Sequence, residues 1–414
     1  MRFNQTGLRV ANWARALSWW KWLLTIDFVF VFVTFTSVKQ FLPDSWWKLY
    51  HHFDLGRELN LAAWWSAVSL FCLGLLAYEC YSTTEYKKMR FARIILAIIL
   101  FGLSLDEIGS LHERVGDWSR IIIVIALGAL IFSISLFVLI TNRKTRKSAI
   151  LITIMFTLFG SVALQEAMEH AVHWPVWAQG IRAGVEEGTE LCAFLLGFWA
   201  LAQQREVINI RLKSLAVIPD PFLFKNLRVL LIGGLFVHLL FSYLASTYPD
   251  LGYRGNPAVW YPMAVSFLLM CACVYRFLFI SKERQFIWLV LAAYFAFSSL
   301  TSVYLISPRI GSSLLAMVPS APNFNRLYAA QFIFIALVFT WVNRHRRLHG
   351  FEIFLLVLLA IILCTSFIID NLLYRFIISG IFVFVIGNLF LIHEKQAMAT
   401  ESETERIQSL AVLR

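Results

Sequence analysis

Apolar runs of about twenty residues recur along the chain, each closed by a short polar segment. A helix needs about 20 apolar residues to cross the hydrocarbon core of a bilayer. Twelve runs approach that length, at 22–40, 60–79, 91–110, 120–140, 148–170, 183–203, 227–246, 258–280, 285–306, 326–343, 351–369 and 373–392. The last two are separated only by DNLLYR at 370–375. The pattern predicts an all-α, polytopic integral membrane protein of about twelve transmembrane helices. The polar stretch QREVINIRLKSLAVIPDPFLFKN divides it, giving a six-helix half over 1–203 and a cytoplasmic linker over 204–226. A second six-helix half follows over 227–392, then a cytoplasmic tail over 393–414. No sequence repeat relates the halves.

Charge sharpens this picture. Every second connection is basic, and those connections hold 26 of the 36 Lys and Arg. Basic loops stay in the cytoplasm, so the alternation predicts that both termini are cytoplasmic. With 59% hydrophobic and 15% charged residues, and a mean hydropathy of +0.71, the chain does not read as a large soluble enzyme. The formal charge of +11 points to membrane lipids as partners, because no zinc-finger spacing or basic recognition helix supports nucleic acid. The basic start runs into an apolar segment without a cleavage pattern and reads as a retained anchor. The six cysteines lie in or beside apolar runs and read as buried hydrophobes. Trp-rich segments such as AAWWS read as interfacial anchors.

Acidic residues gather on three segments. In LSLDEIGSLHE, Asp106, Ser110 and Glu113 share one helical face, with Glu107 and His112 beside it. In LQEAMEHAVHWP, Glu166, Glu169, His170 and His173 form one stripe with two i, i+4 pairs. In AGVEEGTELC, Glu186, Glu187 and Glu190 form a third. With the third and fifth segments running outward and the sixth inward, all three stripes are expected at one outer level, as a shared site.

Carboxylates and imidazoles at these spacings on facing helices are how bundles hold metals. Glu107, Glu166, Glu169, His170, His173, Glu187 and Glu190 are the expected ligands of a divalent ion, zinc, iron or manganese. Asp106, Glu113 and Glu186 remain for acid–base catalysis. The leading expectation is a metal-dependent membrane enzyme acting on a lipid or lipid-linked substrate at the outer face. A proton- or cation-coupled transporter uses the same acids as a relay, joined by the intramembrane Asp27, by His112 and by His238. A non-catalytic assembly or structural role is the third class.

The segments LSLDEIGSLHE at 103–113 and EEGTE at 186–190 resemble a group of uncharacterised bacterial multi-pass membrane proteins with LSLDExxxxHE and EExxE motifs. The resemblance covers the first half alone. It implies a bacterial inner-membrane location and assigns no activity.

Overall fold

The computed structural model describes residues 19–35, 61–82, 87–109, 132–134, 136–141, 143, 145–171, 174–212, 230–247, 257–279, 285–304, 377, 380–382 and 384–389. These residues are helices and turns that fall into two units. Unit one takes in Met1–Pro219 and Tyr275–Phe286, and unit two Asp220–Val274 and Ile287–Arg414.

Unit one contains α1 (Trp19–Phe35), α2 (Leu61–Ser82), α3 (Lys87–Gly109), α4 (Arg146–Ala171) and α5 (Val176–Leu212). The sequence of α3 shows why it packs as it does. Met89, Ala92, Arg93, Leu96, Ala97, Leu100, Ser104 and Ile108 are buried, and their spacing of three and four residues makes one stripe. That stripe faces α2. Ser104 donates from Oγ to the Ala67 carbonyl at 2.7 Å, and Arg93 donates from Nη1 to the Cys80 carbonyl at 2.8 Å. These two contacts fix α2 and α3 as antiparallel. Burial draws the Arg93 guanidinium below its ordinary pKa, against the opposing influence of Cys80. Its bond to Cys80 answers a carbonyl in the last turn of α2, which has no partner within the helix.

The start of α4 is set by Thr145, whose backbone carbonyl accepts from Ala149 N at 2.8 Å. Its side chain donates to the Leu139 carbonyl at 2.7 Å. Pro175 precedes α5, where a missing N–H costs nothing, and its carbonyl accepts from Ala178 N. From there α5 runs unbroken for 37 residues, about 55 Å at 1.5 Å per residue. It therefore continues through Leu212, beyond the apolar run that the sequence closes at 203. Ser148 on α4 donates to the Ala200 carbonyl and accepts from Gln204 Nε2, at 2.7 and 2.6 Å. Midway, the small surface of Gly197 lies against Met155 and Leu73, so α2, α4 and α5 meet in one apolar core.

Unit two opens with a wide π-turn, Leu230–Gly234, continuing into α6 (Leu235–Thr247). A π-turn leaves backbone groups out of step with the helical ladder. Here the Leu231 carbonyl accepts from the Tyr261 hydroxyl at 3.1 Å. Tyr261 lies on α7 (Trp260–Phe279), which follows a 3₁₀ turn at Pro257–Val259 and is succeeded by α8 (Gln285–Tyr304). Ser299 of α8 donates to the Met263 carbonyl of α7 at 3.0 Å.

The number of spans differs from the sequence expectation. Among the described residues two helices are long and apolar enough to cross a membrane, Leu61–Tyr81 and Pro257–Val274. Most of each is buried against protein, 67% and 78% of the respective windows. This overturns the expected twelve-span polytopic architecture and the multi-pass inner-membrane location inferred with it. Apolar runs overcount spans for two reasons. The helices α1 and α6 have only 17 and 13 residues. In α3 and α5 the apolar runs carry Arg93, Asp106 and Glu107, and Glu186, Glu187 and Glu190. Both termini, and the predicted runs at 326–343 and 351–369, lie outside the described residues.

Candidate functional site

The helix α1 is apolar except for Lys21, two threonines and a single acid, Asp27. That acid is only 7% exposed. It faces α2, where the Trp65 indole Nε1 donates to Asp27 Oδ1 at 2.8 Å. Close packing encloses the pair. On α5 the hydrogen of Gly188 leaves room for Val31 of α1, which would stand 3.5 Å from an added Cβ. Phe30, three positions beyond Asp27 on α1, is 4% exposed and joins the apolar core.

A neutral indole N–H is one donor for a carboxylate with about four acceptor positions. Burial without a full set of donors favours the protonated form. Burial accordingly raises the Asp27 carboxyl from an ordinary 3.8 to about 6, with the Trp65 bond pulling in the opposite direction. Cys192 of α5 is close enough to feel the charge. Its thiol is pushed up by burial and then by the Asp27 carboxylate. Asp27 and Trp65 thus join α1 and α2 at one buried carboxyl that burial raises to about 6, with the exposed Cys192 of α5 near enough to feel its charge. Replacing Trp65 by Phe removes the donor that favours the anion. The Asp27 pKa is then expected to rise further, as read by NMR titration of the labelled aspartate.

The stripes of acids can be placed by helix register. Ser104 opposes Ala67, and Val31 opposes Gly188. Asp106, Glu107, Glu186, Glu187 and Glu190 therefore lie toward the end of unit one that holds the start of α2. They do not assemble a metal centre. Among the described residues no three His, Cys, Asp or Glu are grouped so that they could hold a metal ion, which corrects the metal-binding expectation. Glu186, expected as an acid–base residue, accepts at Oε2 from Arg182 Nη1 at 2.6 Å one turn earlier on α5. That carboxylate is engaged by a cation of its own helix. The side chains of Glu166, Glu169, His170 and His173, and residues His112 and Glu113, lie outside the described residues.

His238 belongs to unit two. It is 1% exposed, and its Nδ1 lies 2.6 Å from the Ala258 carbonyl. A carbonyl only accepts, so Nδ1 carries the hydrogen. The ring also meets Tyr261, with centroids 5.4 Å apart, and its far edge presses on Gly380. These contacts make His238 a packing and cross-linking residue of α6. Cys72, Cys80, Cys192, Cys271 and Cys273 are free thiols.

Residues 23–204 match a domain of unknown function, DUF8692. The match begins four positions before Asp27, ends on Gln204, and includes Trp65, Ser148 and Cys192. Both sequence segments of the bacterial resemblance, 103–113 and 186–190, fall within the DUF8692 match. No curated protein and no solved structure matches the chain.

The role of Trp65 is not legible in the sequence. AAWWS reads as an anchor at a membrane interface, whereas one of its indoles turns inward to Asp27. The sequence signal is weak: an acid alone in an apolar helix must find a donor, and indoles are among the few donors on neighbouring helices.

Proposed function

We propose that the protein is a proton-coupled transporter whose candidate spans, Leu61–Tyr81 and Pro257–Val274, cross the bilayer and in which Asp27 takes up and releases the proton. The observation that carries this reading is the buried Asp27 carboxyl of α1, which among the described residues has one neutral donor, Trp65 of α2, and which burial raises to about 6. Protonation cancels the charge in a place where charge is costly, so each event alters the packing preference of three helices at once. Contact with membrane lipid is part of the proposal. The outward face of the same helix exposes Phe28 and Phe32, 66% and 53% exposed, with their rings stacked 6.0 Å apart. Apolar exposure of this kind favours an apolar surrounding.

Proteoliposomes containing the full-length chain and an internal pH-sensitive dye test the reading. Wild-type protein is expected to dissipate an imposed proton gradient. Asp27→Asn keeps the shape and the Trp65 hydrogen bond but cannot titrate, and should cut the rate about a hundredfold or more, the usual scale for losing an essential proton-transfer group. Asp27→Glu should retain part of it. An Asn variant as fast as wild type, or a wild-type protein that moves no protons, would sink the proposal.

A further inference from the structure

Unit one has a charged asymmetry that the proton site does not use. Its hydrogen bonds set the direction of each helix. The end of α2 meets the first turns of α3 through Arg93 and Cys80, and the start of α4 meets the 200–204 region of α5 through Ser148. Leu73 of α2 meets Gly197 of α5, and Asp27 lies beside both Trp65 and Cys192, so α2 and α5 run the same way and those two junctions lie at one end of the unit. Lys87, Lys88 and Arg90 are exposed at the first junction, and Arg143, Arg146 and Lys147 at the second. The opposite end holds Asp106, Glu107, Glu186, Glu187 and Glu190. Among the described residues two acids lie at the basic end, the half-buried Glu79 of α2 and Glu206 of α5.

Beside the cations the helices expose bulk that water does not favour. Phe91 is 55% exposed and follows Arg90 on α3; Phe137 is 71% exposed and precedes the Arg143 turn; Ile150 is 47% exposed and follows Lys147 on α4. Arg90 further places its guanidinium 5.1 Å over the Tyr81 ring, holding that charge at the end of the unit. Side chains of this kind pair cations with phosphates and apolar rings with acyl chains.

We infer that the basic end of unit one docks on an anionic lipid surface, with Lys87, Lys88, Arg90, Arg143, Arg146 and Lys147 contacting the headgroup phosphates. The acidic end cannot serve, because it would repel the same surface. Like charges at the start of α3 and α4 also oppose the helix dipole, and phosphates there relieve that conflict. The inference rests on the membrane contact of the proposed transporter but not on its proton site, so lipid preference and proton movement are read separately.

The test uses the full-length chain in neutral detergent, titrated with short-chain phosphatidylglycerol and, separately, phosphatidylcholine of equal chain length. Binding is read by thermophoresis. A basic residue near an anionic surface contributes about a five-fold factor, so phosphatidylglycerol should bind about tenfold tighter or better. Replacing Lys87, Lys88, Arg146 and Lys147 together with Gln should remove the preference, whereas exchanging the same positions between Lys and Arg should keep it. Salt at about 0.5 M, where charges are screened beyond a few ångströms, should abolish it in the wild-type chain. Circular dichroism shows whether the Gln variant is folded; if it is not, the salt result decides. Equal affinity for the two lipids, or a preference that survives either the folded Gln variant or salt, overturns the inference.

Discussion

Asp27→Asn is expected to be more stable than the wild-type protein above neutral pH and nearly equal to it near pH 4. In the folded chain the carboxyl holds its proton up to about 6, against 3.8 for the ordinary group. Between those values the folded state keeps a proton that the unfolded state has released. The stability tied to that proton is complete below about pH 4 and is lost as pH rises through about 6. Asparagine imitates the protonated carboxyl at every pH and can still accept from Trp65. A carboxyl held at about 6 rather than 3.8 corresponds to at most about 3 kcal/mol. Residual solvent contact reduces this, leaving roughly 1–3 kcal/mol in favour of the variant at pH 8. Denaturant midpoints measured across that range check it. Curves that run parallel for the two proteins would show that the carboxyl is not buried as a neutral group.

Gly380→Ala is expected to cost about 1–2 kcal/mol, although alanine is the better helix former by about 1 kcal/mol. An added Cβ would run into Cδ2 and Nε2 of His238. The imidazole has nowhere to turn, because Ala258 holds Nδ1 and Tyr261 covers the ring. A contrast within the same chain isolates the contact. Gly102 and Gly160 have nothing within 4 Å of an added Cβ, so alanine at either should be neutral or stabilising by up to about 1 kcal/mol. A Gly380→Ala protein with an unchanged urea midpoint would mean that the backbone at Gly380 does not approach α6 as closely as its contact with His238 requires.

Helical content and the inward face of α3 are legible in the sequence because local periodicity decides them. Leu96, Leu100, Ser104 and Ile108 repeat at four-residue intervals, and the structure buries each one. Asp27 stands out equally well, since an acid within an apolar run must be enclosed, paired or hydrated. The count of membrane spans does not follow from the same pattern. An apolar run records what is removed from water but not whether lipid or protein removes it, and α2 packs extensively on α3 and α5. Partnership is also hidden. The spacing of Glu186, Glu187 and Glu190 suggests one acidic stripe acting together, yet Arg182 lies one turn before Glu186 and pairs with it. The bond between Trp65 and Asp27 joins residues 38 positions apart, a separation at which helical periodicity is silent.

The length of α5 has a mechanical consequence. An unbroken helix of 37 residues moves as a rod, so a tilt of one degree about one end displaces the other by about 1 Å. Gly188 and Cys192 stand beside α1 and its Asp27 carboxyl, and Gln204 holds Ser148 at 2.6 Å more than three turns away. A hydrogen bond tolerates only a few tenths of an ångström of stretch. Gln204 lies about 18 Å beyond Cys192, so a tilt of about three degrees about the Asp27 level shifts it by about 1 Å, enough to break both bonds that join Ser148 of α4 to α5.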